Sequence, residues 1–191
     1  MHKSLKEFTK QDWDTLFPIK LVKHNPAWAA IFEAEKEKIL QAVDDRFFNS
    51  VEHFGSSSIP NIQSKPYIDI LIEVPTAFLF NKQFIQELES IGYTCLTAPM
   101  PEQKEHYMIF AKGYHTDGTM EQVFHIHACP QGHPMLQQIK FRDYLRATPK
   151  RAQEYEALKI QLAASFTNDR SGYRIAKTAF IKATLDLVNN H

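Results

Sequence analysis

The sequence has few of the residues that would assign it to a specialised class of protein. Only two cysteines, Cys95 and Cys129, occur among 191 residues, and they form no CxxC pattern, so no disulfide is required and two reduced thiols are the simplest interpretation. Long apolar runs are also missing, and no window is long enough to span a bilayer. The polar N-terminus, with mixed charges, lacks the apolar core of a signal peptide. We therefore expect a cytoplasmic protein with no membrane partner.

An excess of charge of either sign is absent as well. Lys and Arg together number 22, and Asp and Glu together number 22, so no global field attracts nucleic acid or an anionic membrane. We therefore expect no bulk nucleic-acid partner, while a local basic patch stays compatible with this balance. Hydrophobic residues make up 43% of the chain and charged residues 23%, which is enough for a core and for solubility.

The hydrophobic pattern predicts one domain of the α/β (α+β) class. We assign residues 1–19 to a loosely attached N-terminal arm with a short helix near 11–17, and residues 20–191 to the domain. The predicted elements are a helix at 26–43, strands at 47–54 and 67–74, a helix around 84–91 ended by Gly92, strands at 93–96, 106–111 and 121–129, and three helices after Pro134 divided at Thr148-Pro149 and at Ser171. The last two strands should form an antiparallel hairpin, with helices packed behind a mixed sheet.

A glycine-serine turn followed by an acid-bearing strand is the first candidate site. In Gly55-Ser56-Ser57-Ser58 the glycine lets the backbone approach a ligand, and the amides and hydroxyls can cradle phosphate oxygens. On the next strand, Asp69 and Glu73 lie on the face opposite an Ile/Ile/Ile/Val face. Carboxylates on one face can hold a divalent metal on a triphosphate, which phosphoryl and nucleotidyl transfer require. The alternative interpretation, without a functional site, is an ordinary serine-rich turn and a solvent-exposed acid.

The strand near 121–129 carries the second candidate site. His125, His127 and Cys129 share one face of this strand, opposite an apolar face. Histidine and thiolate both suit zinc, but without a clear further ligand we favour polar residues of a cleft over a zinc site. His53 could join the same cleft, or it could equally be a half-buried structural histidine.

The C-terminal helices carry a third set of candidates, which are basic and aromatic. Acidic residues interleave with them, so most of the set should form a solvated face with local ion pairs, while one or two reach the cleft to bind phosphate. The set is Arg142, Tyr144, Arg146, Lys150, Arg151, Lys159, Arg174 and Lys177.

Taken in order, these segments resemble the GrpB family, a group assigned to the nucleotidyltransferase superfamily. The matching segments, which extend over about residues 20–184, are NPAWAAIFEAEKEKI, EHFGSSSIPNIQSKPYIDILIEV, LESIGY, HIH, FRDYLRATP, YEALK and YRIAK. The block that begins EHFGSSSIP is the most specific of them. Within it, Asn61 takes the place of the glycine that normally follows Pro60 in the family, and asparagine also tolerates positive φ.

The resemblance implies a nucleotidyltransferase-like fold. In that superfamily a glycine-serine turn precedes a strand with two acids one residue apart, and a third acid lies on a later strand; these acids bind metals that position a nucleoside triphosphate. By similarity, Gly55 and Ser56 match the turn and Asp69 matches one strand acid. Its partner acid is missing, because a tyrosine and a leucine occupy the two candidate positions. His125 and His127 stand roughly where the third acid would come.

The leading hypothesis is a nucleotidyltransferase-like protein that binds a nucleotide or phosphorylated ligand and transfers a nucleotidyl group to an acceptor. Lys65 would neutralise phosphate charge, and Asp69 would hold Mg²⁺ or act as base, with Glu73 as the second catalytic acid. Mg²⁺ or Mn²⁺ is the expected cofactor, ahead of Zn²⁺. The expected metal ligands are Asp69, His125 and His127, and the other ligand-binding residues are Gly55, Ser56, Ser57, Ser58, Lys65 and Arg142.

Two alternative hypotheses follow from the same residues. The missing second acid favours a degenerate module that binds a nucleotide or phosphorylated metabolite without turnover. A transition-metal site on His125, His127 and Cys129 is the other alternative.

Overall fold

A computed structural model of the chain describes residues 3–97 and 106–189, and the structural statements below concern these residues. The strands are Ser50–Phe54 (β1), Tyr67–Val74 (β2), Thr94–Cys95 (β3), Met108–Tyr114 (β4) and Met120–Pro130 (β5). The helices are Lys10–Leu16 (α1), Ala27–Ala42 (α2), Lys82–Ser90 (α3), Gln137–Ala147 (α4), Pro149–Ser165 (α5), Arg170–Ala176 (α6) and Thr178–Asn189 (α7). Short 3₁₀ turns lie at Leu5–Glu7, Asp45–Phe47, Ser56–Ser58, Thr76–Phe78 and Pro134–Leu136.

The described strands form one mixed sheet in the order β1-β2-β5-β4-β3. The central pair, β2 and β5, is parallel, with Asp69 opposite His125 and Leu71 opposite His127. The pairs β1/β2, β4/β5 and β3/β4 are antiparallel. The predicted hairpin of β4 and β5 and the predicted α/β class with a mixed sheet are therefore confirmed.

One face of the sheet carries the main core. Ile68, Ile70, Ile72 and Val74 of β2 are fully buried on this face, as their alternation predicts. They pack in one cluster with side chains of α2, α3, β4 and β5, including Trp28, Phe32, Ile39, Phe84, Leu88, Phe110 and Ile126. The other face of β2 and β5 carries Asp69, His125 and His127, so the apolar alternation leaves the polar side chains together on the opposite face.

The C-terminal helices pack together and against the chain that follows β1. Helix α4 contacts β1, α5 and α7, and α6 contacts α5 and α7. An apolar cluster joins these helices to Ile59 and Ile62, which follow the 3₁₀ turn after β1. The region contains four helices where three were predicted. The break at Thr148-Pro149 is confirmed, but Asp169, rather than Ser171, caps α6, because its carboxylate accepts the amide of Gly172 at 3.0 Å.

The N-terminal arm is packed against the domain, which corrects the expectation of a loose attachment. Phe17 is fully buried and Ile19 is 7% exposed. The Phe17 and Trp13 rings both contact Tyr114 of β4, at centroid distances of 4.6 and 5.1 Å. The amide of Ile19 donates to the carbonyl of Thr167 at 3.0 Å. Aromatic burial and a backbone hydrogen bond therefore hold the arm in place.

Two strand boundaries differ from prediction for identifiable reasons. β1 begins at Ser50, because Asp44 accepts the amide of Arg46 at 3.1 Å and directs the preceding residues into a 3₁₀ turn. β4 continues past residue 111 to Tyr114 across an irregularity at Gly113, which has a φ of 88°. Gly92 has a φ of 93°, which confirms its predicted position after α3. Among the described helices, none combines the length and apolar character needed to cross a membrane.

Candidate functional site

A cavity of about 530 Å³ opens on the polar face of the sheet. Its walls come from β2 and β5, the turn after β1, the N-terminal arm and the C-terminal helices. Eight of the ten predicted site residues line it, namely Gly55, Ser56, Ser57, Lys65, Asp69, His125, His127 and Arg142. Further polar lining comes from Ser64, Gln138, Tyr155, Lys159, Arg170, Ser171, Tyr173, Arg174, Lys177 and Thr178. The fold thus brings most of the predicted residues to one place.

Gly55 gives the backbone its close approach to Asp69. Its φ is 70° and its ψ is −177°, a combination that glycine adopts almost alone. A Cβ atom at this position would lie 2.3 Å from Oδ2 of Asp69, which is far inside van der Waals contact. The glycine therefore allows both the turn and the position of the carboxylate.

The three serines after Gly55 have different surroundings. The Ser57 hydroxyl lies 3.1 Å from Nε2 of His53, and the Ser58 hydroxyl donates to the carbonyl of Gly55 at 2.6 Å. Ser56 lines the cavity, and its hydroxyl has no hydrogen-bond partner in the described part of the chain. Ser58 does not line the cavity, which corrects its assignment as a ligand-binding residue. Ser56 is therefore the serine best placed for a ligand.

A chain of hydrogen bonds ends on Asp69. Nδ1 of His125 lies 3.3 Å from Oδ1 of Asp69, and Nε2 of His125 lies 2.9 Å from the Tyr114 hydroxyl. Nη2 of Arg170 donates to that hydroxyl at 3.4 Å. Because an ionised carboxylate can only accept, Nδ1 of His125 donates to Asp69, and in the neutral imidazole Nε2 then accepts from the Tyr114 hydroxyl. Each hydrogen of the chain therefore points toward Asp69.

The charges on Asp69 and His125 follow from these contacts. Burial by itself would raise the pKa of Asp69, but the hydrogen bond from His125 and the nearby Lys65 outweigh it and hold this pKa well below its usual range. Burial lowers the pKa of His125 despite the attraction of Asp69. An ionised carboxylate next to a neutral imidazole is the resulting state at neutral pH.

Glu73 lies apart from Asp69, which corrects the expectation that both acids share one cleft. It pairs with Cys129 across the sheet, and its carboxylate accepts the Asn49 side-chain amide at 3.2 Å. Between the two acids on the same face lies Leu71, which is buried in an apolar cluster with Phe54 and Cys129. Glu73 does not line the cavity, so Asp69 is the only carboxylate among the described lining residues.

His127 lies between two aromatic rings at one side of the cavity. Its ring stacks on Tyr107 at a centroid distance of 5.6 Å and meets Phe54 edge-on at 5.3 Å. Burial lowers the pKa of His127 to about 4. Its Nδ1 atom is buried without a hydrogen-bond partner among the described residues. His127 is therefore a neutral polar group with an unused nitrogen beside the cavity.

The alternative site with His125, His127 and Cys129 does not form. Cys129 is fully buried outside the cavity, and burial raises the pKa of its thiol to about 12, so it stays protonated. In the described parts of the chain, no group of three or more His, Cys, Asp or Glu side chains is arranged to hold a metal ion. His53 lies on the core side, where it stacks on Phe32 at 4.8 Å, which supports its structural interpretation.

A cluster of cations, which we call the basic wall, covers the cavity opposite the sheet. It consists of Lys65, Arg142, Lys159, Arg170, Arg174 and Lys177. Arg142 forms ion pairs with Glu52 and Asp143, each at 2.8 Å. The other five members form no ion pair with a carboxylate of the described residues. Burial and neighbouring cations lower the pKa of Lys65 and of Lys159 to about 7, so positive charge is crowded here and each of these amines is only about half protonated at neutral pH.

Sequence reasoning missed Trp13, Tyr114 and Arg170 as parts of the site. Arg170 has a detectable signal, because Arg170, Arg174 and Lys177 recur at helical spacing and so share one face of α6 and its C-terminus. Trp13 and Tyr114 carry no comparable signal, since an aromatic residue in an arm or a strand usually indicates packing.

Comparison with known proteins agrees with this fold. The family model described as GrpB protein matches residues 18–187. The UPF0157 protein YqkA of Bacillus subtilis is 36% identical over 165 residues, which cover 86% of this chain and 45% of that protein. Glutamate-rich protein GrpB of Alkalihalophilus pseudofirmus is 33% identical over 167 residues, which cover 87% of this chain and 93% of that protein. This chain thus spans under half of YqkA but nearly all of the second relative.

Two solved structures show the same fold. Conserved protein GrpB from Enterococcus faecalis superposes with a TM-score of 0.73 at 29% identity, over 90% of this chain and 98% of that one. The Cid1 poly(U) polymerase superposes with a TM-score of 0.52 at 14% identity, over 91% of this chain and 55% of that one, which shows a nucleotidyltransferase-like fold alone. Since the family model covers most of the sequence, the chain belongs to the GrpB family.

Proposed function

We propose that the cavity binds a nucleotide or a similarly phosphorylated small molecule. The observation that carries this proposal is the basic wall, in which five cationic side chains face one cavity without a carboxylate partner among the described residues. Lys159 is buried, Lys65, Arg170 and Lys177 are half-buried, and Arg174 is exposed. Burying a charge is expensive unless it is paired, and this cost applies to the buried and half-buried members. A ligand with several phosphate oxygens would supply the missing negative charge and accept the donors of these side chains.

The size and composition of the cavity support a nucleotide. A volume of about 530 Å³ falls within the range of about 300–1,000 Å³ that small-molecule sites occupy. Phe54, Phe141, Tyr155 and Tyr173 supply aromatic surface beside the cations, so one ligand can place phosphates and a planar ring in the same cavity. Cid1, which shares the fold, is described with MgGTP bound, and this makes nucleoside triphosphates the first ligands to test.

The donor set favours binding over two-metal catalysis. A two-metal site needs several carboxylates that hold both ions, and Asp69 is the only carboxylate among the described lining residues. A single Mg²⁺ or Mn²⁺ that arrives with the nucleotide could still use Asp69 as its protein ligand. The lining residues therefore do not fit a pair of metal ions.

Nucleotidyl transfer is the second candidate function. The observation that favours it is the chain from Arg170 through Tyr114 and His125, which keeps Asp69 ionised at the cavity surface. An ionised carboxylate in this position can accept a proton from an acceptor hydroxyl or amine. The acceptor would then attack the α-phosphate, and pyrophosphate would leave.

Titration calorimetry tests binding directly. ATP, GTP, CTP and UTP are titrated with Mg²⁺, with Mn²⁺ and with EDTA into the wild-type protein and two variants. We expect at least one nucleotide to bind, and the double variant Arg174→Gln/Lys177→Gln to bind it at least tenfold more weakly, since hydrogen bonds to charged groups contribute about 1.5–3 kcal/mol. Lys182→Gln, an exposed residue of α7, is the matched control and should bind like wild type.

The same titration can reject the proposal. Absence of heat for every nucleotide under all three conditions would contradict it, as would wild-type affinity in the double variant. Transfer is measured separately as pyrophosphate released with Mn²⁺ and mixed small-molecule acceptors. Pyrophosphate release that is lost in Asp69→Asn would support nucleotidyl transfer. Nucleotide binding without pyrophosphate release would indicate a module that only binds nucleotides.

A further inference from the structure

The N-terminal arm forms part of the cavity, although it precedes the region that the family model matches. That match begins at residue 18, whereas α1 covers Lys10–Leu16. Trp13 on this helix is one of the lining residues. Its ring meets those of Tyr114 and Phe8 edge-on, at centroid distances of 5.1 and 5.4 Å, and is tilted against that of Phe17 at 5.5 Å. Three aromatic neighbours therefore hold the Trp13 ring at the cavity edge.

Specific polar contacts tie the arm to the basic wall through one residue. The buried carboxylate of Asp14 accepts the backbone amide of Arg170 at 3.0 Å. The carbonyl of Phe17 accepts Nη1 of Arg170 at 2.8 Å. The guanidinium carbon of Arg170 lies 6.0 Å from the centroid of the Trp13 ring. The arm thus places a cation and a large aromatic ring next to each other on one wall.

This pairing matches the two chemical halves of a nucleotide. Cations bind phosphate oxygens, while the face of an indole ring offers a base a surface on which to stack, with little dependence on the identity of the base. We propose that Trp13 contacts the base of a nucleotide whose phosphates bind the basic wall, an inference that rests on the function proposed above. The arm is then part of the ligand-binding site and helps to select ligands that carry a planar aromatic group.

Tryptophan fluorescence can test this contact without altering Trp13. The chain contains two tryptophans, and the other one, Trp28, is 2% exposed in the core on the opposite face of the sheet. A Trp28→Phe variant therefore leaves Trp13 as the single reporter. We expect saturating ATP to quench or shift its emission, and inorganic tripolyphosphate, which carries the charge without a base, to change it much less.

Binding to variants of the arm gives a second measurement. Trp13→Ala should weaken ATP about tenfold, in line with stacking contributions of about 1–3 kcal/mol per base, and should leave tripolyphosphate affinity within about twofold. Trp13→Phe, which keeps an aromatic face, should retain most of the ATP affinity. Thr15→Ala is the matched control, because Thr15 is an exposed residue of the same helix that does not line the cavity, so the affinity of this variant for ATP should be unchanged.

Several outcomes would overturn the inference. If ATP binds in calorimetry but neither changes Trp13 emission nor loses affinity in Trp13→Ala, the inference is rejected and the proposed function stands. If Trp13→Ala weakens the binding of ATP and of tripolyphosphate equally, the arm only supports the fold, and the inference is again rejected. If no nucleotide binds the wild-type protein, the proposed function fails, and the role of Trp13 fails with it.

Discussion

Nδ1 of His125 lies 3.3 Å from Oδ1 of Asp69, across the parallel strand pair in which the two residues are direct neighbours. Two carboxylates at this separation would repel unless a cation lay between them, whereas a neutral imidazole donates a hydrogen bond and needs no cation. The pair therefore needs no metal ion to hold it together, and this is one physical basis for proposing binding before reaction.

Asp69→Asn should separate the metal-dependent part of nucleotide binding from the rest. Without a metal ion, the ionised carboxylate repels phosphate, so the variant should bind a nucleotide in EDTA at least as tightly as wild type. The gain in affinity on adding Mn²⁺ should disappear, because an amide is a poor ligand for a hard cation. Calorimetry with EDTA and with Mn²⁺ measures both effects. Asp186→Asn, an exposed acid of α7, is the control, and a Mn²⁺ gain that survives in Asp69→Asn would contradict the role of Asp69.

Gly55→Ala should destabilise the fold by about 2 kcal/mol or more. The new Cβ would both enter a backbone region that costs other residues about 1–3 kcal/mol and lie 2.3 Å from Oδ2 of Asp69. Gly132→Ala is the matched control, since Gly132 also has a positive φ, 79°, but no atom lies within 4 Å of its added Cβ. Urea denaturation measures both variants. Equal losses of stability would show that the contact with Asp69 contributes nothing beyond the backbone strain.

Tyr114→Phe should reduce stability by about 1 kcal/mol, the usual net contribution of a hydrogen bond. The hydroxyl donates to His125 and accepts from Arg170, so its loss leaves a buried imidazole nitrogen and a guanidinium without this partner. The free energy of unfolding from urea titrations checks the change. Tyr155→Phe removes a hydroxyl that makes no hydrogen bond with the described residues, and it should be close to neutral. A neutral Tyr114→Phe would mean that water replaces the hydroxyl at no cost.

Stability should fall as the pH is lowered from about 6.5 to about 4. Burial lowers the pKa of His127 to about 4, below the value of about 6.5 for an unfolded histidine, so the unfolded chain binds the proton first. The free energy of unfolding should therefore fall as the pH is lowered across this window, by up to about 1.4 kcal/mol per pH unit for one proton. The low pKa of Asp69 adds a loss only at still lower pH, as its carboxylate becomes protonated.

Urea denaturation at a series of pH values measures this slope. His127→Gln should flatten it, because the variant removes one group that titrates in the window. Burial also lowers the pKa of His53 to about 4. The titration of His53 should therefore preserve part of the pH dependence of stability in the His127→Gln variant. His115→Gln, at a half-exposed position, is the control and should follow the wild type. Identical slopes in wild type and His127→Gln would contradict the assignment.

The sequence by itself determined most of the elements and the two faces of the central strands. β2 was predicted at 67–74 and lies at Tyr67–Val74, because the isoleucines and the valine at every second position can all face the core in only one register. The same alternation placed Asp69, His125 and His127 on the face opposite the core. Local signals also located Gly92 after α3 and the break at Thr148-Pro149, since glycine and proline restrict the backbone whatever surrounds them.

Only the tertiary structure decided which of these residues meet. Glu73 shares a strand face with Asp69, and alternation places Leu71 between them, but only the packing shows that Leu71 is buried in an apolar cluster and that Glu73 lies outside the cavity. The packing of α6 against the arm decided that Arg170 and Trp13 lie on one wall, because that contact joins segments about 150 residues apart through Asp14 and Phe17. A local sequence pattern reflects the conformational preference of its own segment. A cavity instead forms through long-range packing between segments that are distant in the sequence.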